Sequence, residues 1–89
     1  MIFGNKQNVI VHVLWNDMNE TTIPQECKKI KIEIDKIKGI KESFFTKESK
    51  VSNIVVFAEW NEDEIDSKTE EIRRIPNVKS VNTHVLVPA

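Results

Sequence analysis

The sequence predicts an α+β fold in which a four-stranded antiparallel sheet carries two helices on one face. Three observations point there. The chain repeats itself: "IDKIKGIKES" (Ile34 to Ser43) overlays "IRRIPNVKSV" (Ile72 to Val81), with Ile34 on Ile72, Ile37 on Ile75, Ile40 on Val78 and Lys41 on Lys79. Apolar residues recur at spacings of three and four ahead of each copy, as on one stripe of a helix. Two β-branched runs, "NVIVHVLWN" and "NIVVFAEW", precede those stripes and follow the period of a strand. A chain of 89 residues fits one domain, 1–89, large enough to bury a core without disulfides.

The elements follow in order. Strand 8–16 is the first β-branched run. Thr22 opens Thr-Ile-Pro-Gln, a capping box with Pro24 in the first turn. Helix 23–38 then carries Cys27, Ile30, Ile34 and Ile37 on one stripe, and Gly39 stops it. Strand 43–49 is "SFFTKES", and strand 53–60 is the second β-branched run. Asn61 caps helix 62–75, with acids in its first turn where the helix dipole favours them. Pro76 ends that helix, and strand 78–87 closes the chain. The repeat is thus one joint used twice: two isoleucines dock a helix end, Gly39 or Asn77 reverses the chain, and Ile40 or Val78 plugs the core. Right-handed crossovers in both halves give the ferredoxin-like βαββαβ plait, strand order 4-1-3-2.

Composition narrows the function. With 39% apolar and 30% charged residues the chain is globular, and no apolar run reaches the roughly 20 residues of a membrane helix. The net charge of −1 argues against direct nucleic-acid binding. One cysteine and no signal-peptide pattern at the start make a cytoplasmic setting the expectation. Lys28, Lys29, Lys31, Lys36, Lys38 and Lys41 form a basic stretch, and Glu59, Glu62, Asp63, Glu64, Asp66, Glu70 and Glu71 an acidic one. Two solvated helix faces are the expectation, the alternative being surfaces of opposite sign that pair with each other or with another subunit.

Alternation sorts the strands into two faces. Val9, Val11, Val13, Trp15, Ile54, Val56, Ala58, Trp60, Val81, Thr83, Val85 and Val87 belong under the helices. The bare face then carries Ile10, His12, Leu14, Val55, Phe57, Glu59, Asn82, His84 and Leu86, with Phe44 or Phe45. An apolar patch on the order of several hundred Å² there marks an interface. We therefore expect a homodimer, or a higher homo-oligomer, with Ile10, His12, Leu14, Phe57, His84 and Leu86 at its interface. Pairing the first and fourth strands centre to centre sets His12 opposite His84, with Phe57 as their neighbour. Trp15 and Trp60, on central strands expected to run parallel, would cap the core and support the loops above it.

"EEIRRIPNVKSVNTHVLV" (Glu70 to Val87) resembles the ending of the effector-binding (RAM) domain of leucine-responsive/AsnC-type transcription regulators, and "IKGIKESFF" (Ile37 to Phe45) resembles its first half. The resemblance implies a dimer through bare sheet faces, larger rings, and a small amino-acid-like effector bound between subunits. It places Lys50, Ser52 and Asn53 at the effector site, in a hairpin, "KESKVSN", that lacks the family's glycine. Only Met1 to Gln7 precede the first strand, so the expectation is a stand-alone form without the helix-turn-helix. It would act in transcription with a full-length regulator as partner, without catalysis, cofactor or metal. The alternatives are a dimeric α+β barrel enzyme of the monooxygenase type, or a metal-binding protein using His12 and His84 with Glu59 as third ligand. A copper chaperone lacks its Cys-x-x-Cys loop here, and an ACT domain its Pro-Gly turn.

Overall fold

The computed structural model describes residues 6–15, 25–46 and 53–87. Its elements are β1 (Lys6–Trp15), α1 (Gln25–Asp35), β2 (Ile40–Phe45), β3 (Ile54–Asn61), a 3₁₀ turn (Glu62–Glu64), α2 (Ile65–Arg73) and β4 (Val78–Val85). The sheet runs β2-β3-β1-β4 with every neighbouring pair antiparallel, so the plait and its strand order are as the sequence predicts. The Thr22 cap lies outside the described residues.

Burial follows the alternation except at the end of the last strand, where Val85 and Val87, expected under the helices, are 43% and 81% exposed. Val9, Val11 and Val13 of β1 and Ile54, Val56, Ala58 and Trp60 of β3 are buried, together with Cys27, Ile30 and Ile34 of α1, Ile72 of α2 and Val81 of β4. Each fully buried isoleucine contributes about 1.5–3 kcal/mol. The stripe on α2 is Ile65, Thr69 and Ile72. Thr69 is a polar member that the apolar pattern passes over. Its hydroxyl donates to the Ile65 carbonyl at 2.8 Å and meets the Thr83 hydroxyl of β4 at 2.8 Å, so it enters the core satisfied.

The repeated joint is repeated in geometry too. Ile37 N donates to Ile34 O at 2.9 Å and Ile40 N to Ile37 O at 3.3 Å; in the second copy Ile75 N donates to Ile72 O at 3.1 Å and Val78 N to Ile75 O at 3.2 Å. Gly39 and Asn77 both take positive φ, 93° and 74°, the conformation that lets a helix end reverse. The first joint is the more crowded. Trp60 lies against Gly39 and its indole Nε1 donates to Lys38 O at 2.8 Å.

Three expectations need correction. The second strand starts at Ile40, not at residue 43, because Gly39 O already accepts from Glu59 N at 2.9 Å and opens the ladder there. A bulge follows at once: Ile40 pairs with Ala58 but Glu42 with Phe57, leaving Lys41 as the extra residue. That one residue turns Phe44 to the bare face and Phe45 to the core. The helices are also shorter than predicted, since the 3₁₀ turn absorbs residues 62–64 and α1 gives way to turns after Asp35. In that 3₁₀ turn the Asn61 amide donates to Glu64 Oε1 at 3.2 Å, a capping contact one turn ahead of α2. Finally, the central strands are antiparallel, so Trp15 and Trp60 lie toward opposite ends of the sheet.

The charged stretches pair along their own helices: Lys31 with Asp35 and Lys36 with Glu33 on α1, Lys68 with Glu71 and Arg73 with Glu70 on α2. Exposed pairs of this kind add little to stability.

Candidate functional site: the bare face of the sheet

The bare face is built in rows across the strands. One row is Phe44, Val55, His12 and Asn82; the next is Glu42, Phe57, Ile10 and His84. Leu86 follows His84, its amide donating to Asn8 O at 2.8 Å, and Leu14 lies opposite Ser80. Ile10, Leu14 and Val55 are half-buried, whereas Phe57 is 37% exposed, Leu86 43% and Phe44 50%. Phe44 and Phe57 meet edge to face with centroids 6.2 Å apart. An aromatic pair resting on solvent beside four aliphatic side chains is the kind of apolar surface that marks an interface.

The histidines are close but not opposite. The register sets His84 against Ile10 and Asn82 against His12, two residues from the centred pairing. A slip of two keeps every side chain on its face, so alternation alone does not fix it. The imidazoles nonetheless reach each other diagonally, T-shaped, with centroids 5.9 Å apart and planes at 70°. His84 is exposed; His12 is half-buried, and its Nδ1 is fully covered without a hydrogen-bond partner. An orphaned buried acceptor or donor costs about 1–3 kcal/mol. Glu59 is not their third ligand. It lies on β3, across β1 from β4, and its carboxylate faces Lys41 at 3.4 Å and Lys6 at 3.9 Å.

Of the three residues assigned to an effector site, Lys50 and Ser52 lie outside the described residues. Asn53 is 1% exposed and ties strand ends together. Its Oδ1 accepts from Trp15 N at 2.5 Å, its amide donates to Val13 O at 2.7 Å, and its carbonyl accepts from Thr46 N at 2.8 Å. Sequence reasoning missed this clamp; a polar residue beside a hairpin reads as a ligand contact as easily as a strand tie. Cys27 is buried in the core, which pushes its thiol pKa up and leaves it a packing residue rather than a nucleophile.

Set beside known proteins, the sequence matches no protein-family model and no curated protein. Solved structures do match. PH0061 superposes with a TM-score of 0.66 at 20% identity, over 94% of this chain and 53% of its own. AsnC of E. coli superposes with a TM-score of 0.68 at 8% identity, over 92% of this chain and 51% of its own. Extracellular domain 1 of FtsX from S. pneumoniae, solved with undecyl-maltoside, gives 0.55 at 12% identity over 85% of this chain and 92% of its own. The protein therefore shares its fold with part of AsnC and of PH0061. It spans about half the length of PH0061 and of AsnC. No described helix is long and apolar enough to cross a membrane.

Proposed function

We propose that this chain is an oligomerisation and effector-binding domain acting in transcriptional regulation, and that two copies pack bare face to bare face. The observation that carries the reading is the exposed Phe44–Phe57 pair set among Ile10, Leu14, Val55 and Leu86. A stable interface buries about 800 Å² from each partner. The AsnC-like fold supports the regulatory part of the reading. A small amino-acid-like molecule, bound near Lys50 and Ser52, and co-assembly with a full-length regulator are the corresponding ligand and partner. In this arrangement Asn53 positions the strand ends beneath the ligand rather than touching it.

Sedimentation velocity at micromolar concentration tests the dimer. The unmodified chain should sediment as a dimer, and Phe57→Glu as a folded monomer. An uncompensated charge buried in an interface costs about 3–5 kcal/mol, a weakening on the order of a thousand-fold. A monomeric unmodified chain refutes the reading. For the effector, a thermal-shift screen over amino acids and nucleotides suffices, because a ligand confined to the native state raises the melting temperature.

A further inference from the structure

We propose that His12 and His84 together bind a divalent transition-metal ion of the zinc, copper or nickel class on the bare face of the sheet. The sequence made this the weaker reading, since no Cys-x-x-Cys, His-x-His or carboxylate cluster supplies further ligands. The geometry of the pair reverses that weighting.

Two imidazole nitrogens at about 2.1 Å from one ion, at tetrahedral or wider angles, hold their ring centroids roughly 5–6 Å apart. The observed separation is 5.9 Å. Diagonal residues on antiparallel strands start about 7–8 Å apart at the backbone, so the two side chains already lean together on their strands. An ion therefore needs rotation of the rings and no movement of the sheet. The pair is also asymmetric in a useful way. His12 Nδ1 is buried and unpartnered, so it reaches an ion only once the ring turns outward, and ligation there would satisfy it. His84 is exposed and gives the ion a route in. Asn82, directly across from His12 on the same face, offers an amide oxygen as a weaker third ligand. Water completes the coordination.

Among the described residues no group of three or more His, Cys, Asp or Glu gathers at metal-binding distance, so the site has two imidazoles at its heart. Neutral nitrogen ligands select copper, nickel and zinc over magnesium and calcium. Both imidazoles belong to one chain and lie on the face that the proposed dimer covers, so uptake of the ion precedes packing of the two faces.

The untagged full chain is titrated at pH 7.5 with zinc or nickel chloride, against magnesium chloride, with bound metal read by calorimetry and melting temperature by thermal shift. The expected result is a rise in melting temperature with zinc or nickel alone, reversed by EDTA. His12→Gln and His84→Gln should each weaken binding by on the order of ten-fold or more. Because His84 is exposed, His84→Gln keeps the fold and decides the matter if His12→Gln does not. Absence of zinc or nickel binding, or affinity unchanged in His84→Gln, overturns the proposal. Sedimentation of the same samples reports the dimer separately, so failure of one reading is distinguishable from failure of the other.

Discussion

Replacing Gly39 by alanine should be among the most damaging single-methyl changes available to this chain. An added Cβ would sit 2.4 Å from Trp60 Cδ1, 2.5 Å from its Nε1 and 2.7 Å from the Glu59 carbonyl oxygen. The carbonyl belongs to the β3 ladder, accepting a strand position it cannot leave, so the indole must give way. Trp60 is buried, and moving it breaks its 2.8 Å hydrogen bond to Lys38 O. Three costs then combine: about 1–2 kcal/mol for an L-residue at positive φ, about 1–3 kcal/mol for overpacking, and about 1 kcal/mol for the hydrogen bond. The total of about 3–6 kcal/mol is a large part of the roughly 4–13 kcal/mol expected for a domain of this length. Urea unfolding followed by tryptophan fluorescence measures it. With a slope of about 1–3 kcal/mol per molar, the midpoint should fall by more than ~1 M. Asn77, at the matching joint, is exposed with φ 74°. Asn77→Ala should therefore cost only about 1 kcal/mol of backbone strain. Equal losses at both positions, or a loss below about 1 kcal/mol for Gly39→Ala, would refute the role given to the tryptophan contact.

Two further outcomes are expected. Asn53→Ala leaves Trp15 N without its side-chain acceptor in a partly buried place and should cost about 1–3 kcal/mol by urea unfolding; a neutral result would show that the clamp is dispensable. Burial raises the Cys27 thiol above its ordinary value, so in alkaline solution the folded chain holds a proton that the unfolded chain releases. Its contribution is fully present below pH 9 and is lost as pH rises above it, at up to about 1.4 kcal/mol per pH unit. The stability difference between the unmodified chain and Cys27→Ala should therefore shrink between pH 8.5 and 10.5, and a constant difference would contradict the burial.

The parts of the fold that were legible in the sequence are those set by chemistry local to a few residues. Gly39 and Asn77 stood out because few residues tolerate positive φ, and the isoleucines around them because a helix end must dock somewhere. The faces of β1 and β3 were legible because eight alternating positions leave no other assignment. What escaped was everything with period two. A shift of β4 by two residues keeps Val81 inside and His84 outside, so the choice between His12–His84 and His12–Asn82 was settled by how strands meet, not by what they contain. Likewise, the bulge at Lys41 leaves no mark in a segment, "IKES", that reads as a charged loop. The same period-two freedom hid the site: two histidines were visible, but their separation depends on a register no single strand specifies.

The pairing of β1 with β4 has a consequence for how the chain can be cut and joined. Val9 faces Val85 and Leu86 N bonds to Asn8 O, so the opening of the first strand and the close of the last run side by side. Residues 6 and 87 therefore lie near one another at one end of the sheet. A short linker could join them, and new ends placed between β2 and β3 would sever none of the ladders in the sheet. Such a circularly permuted chain begins with β3, the strand that contacts both β1 and β2. It turns the order in which contacts are synthesised inside out while leaving the final set unchanged. Comparing its refolding rate with that of the native order would separate what sequence order contributes to this plait from what its contacts contribute.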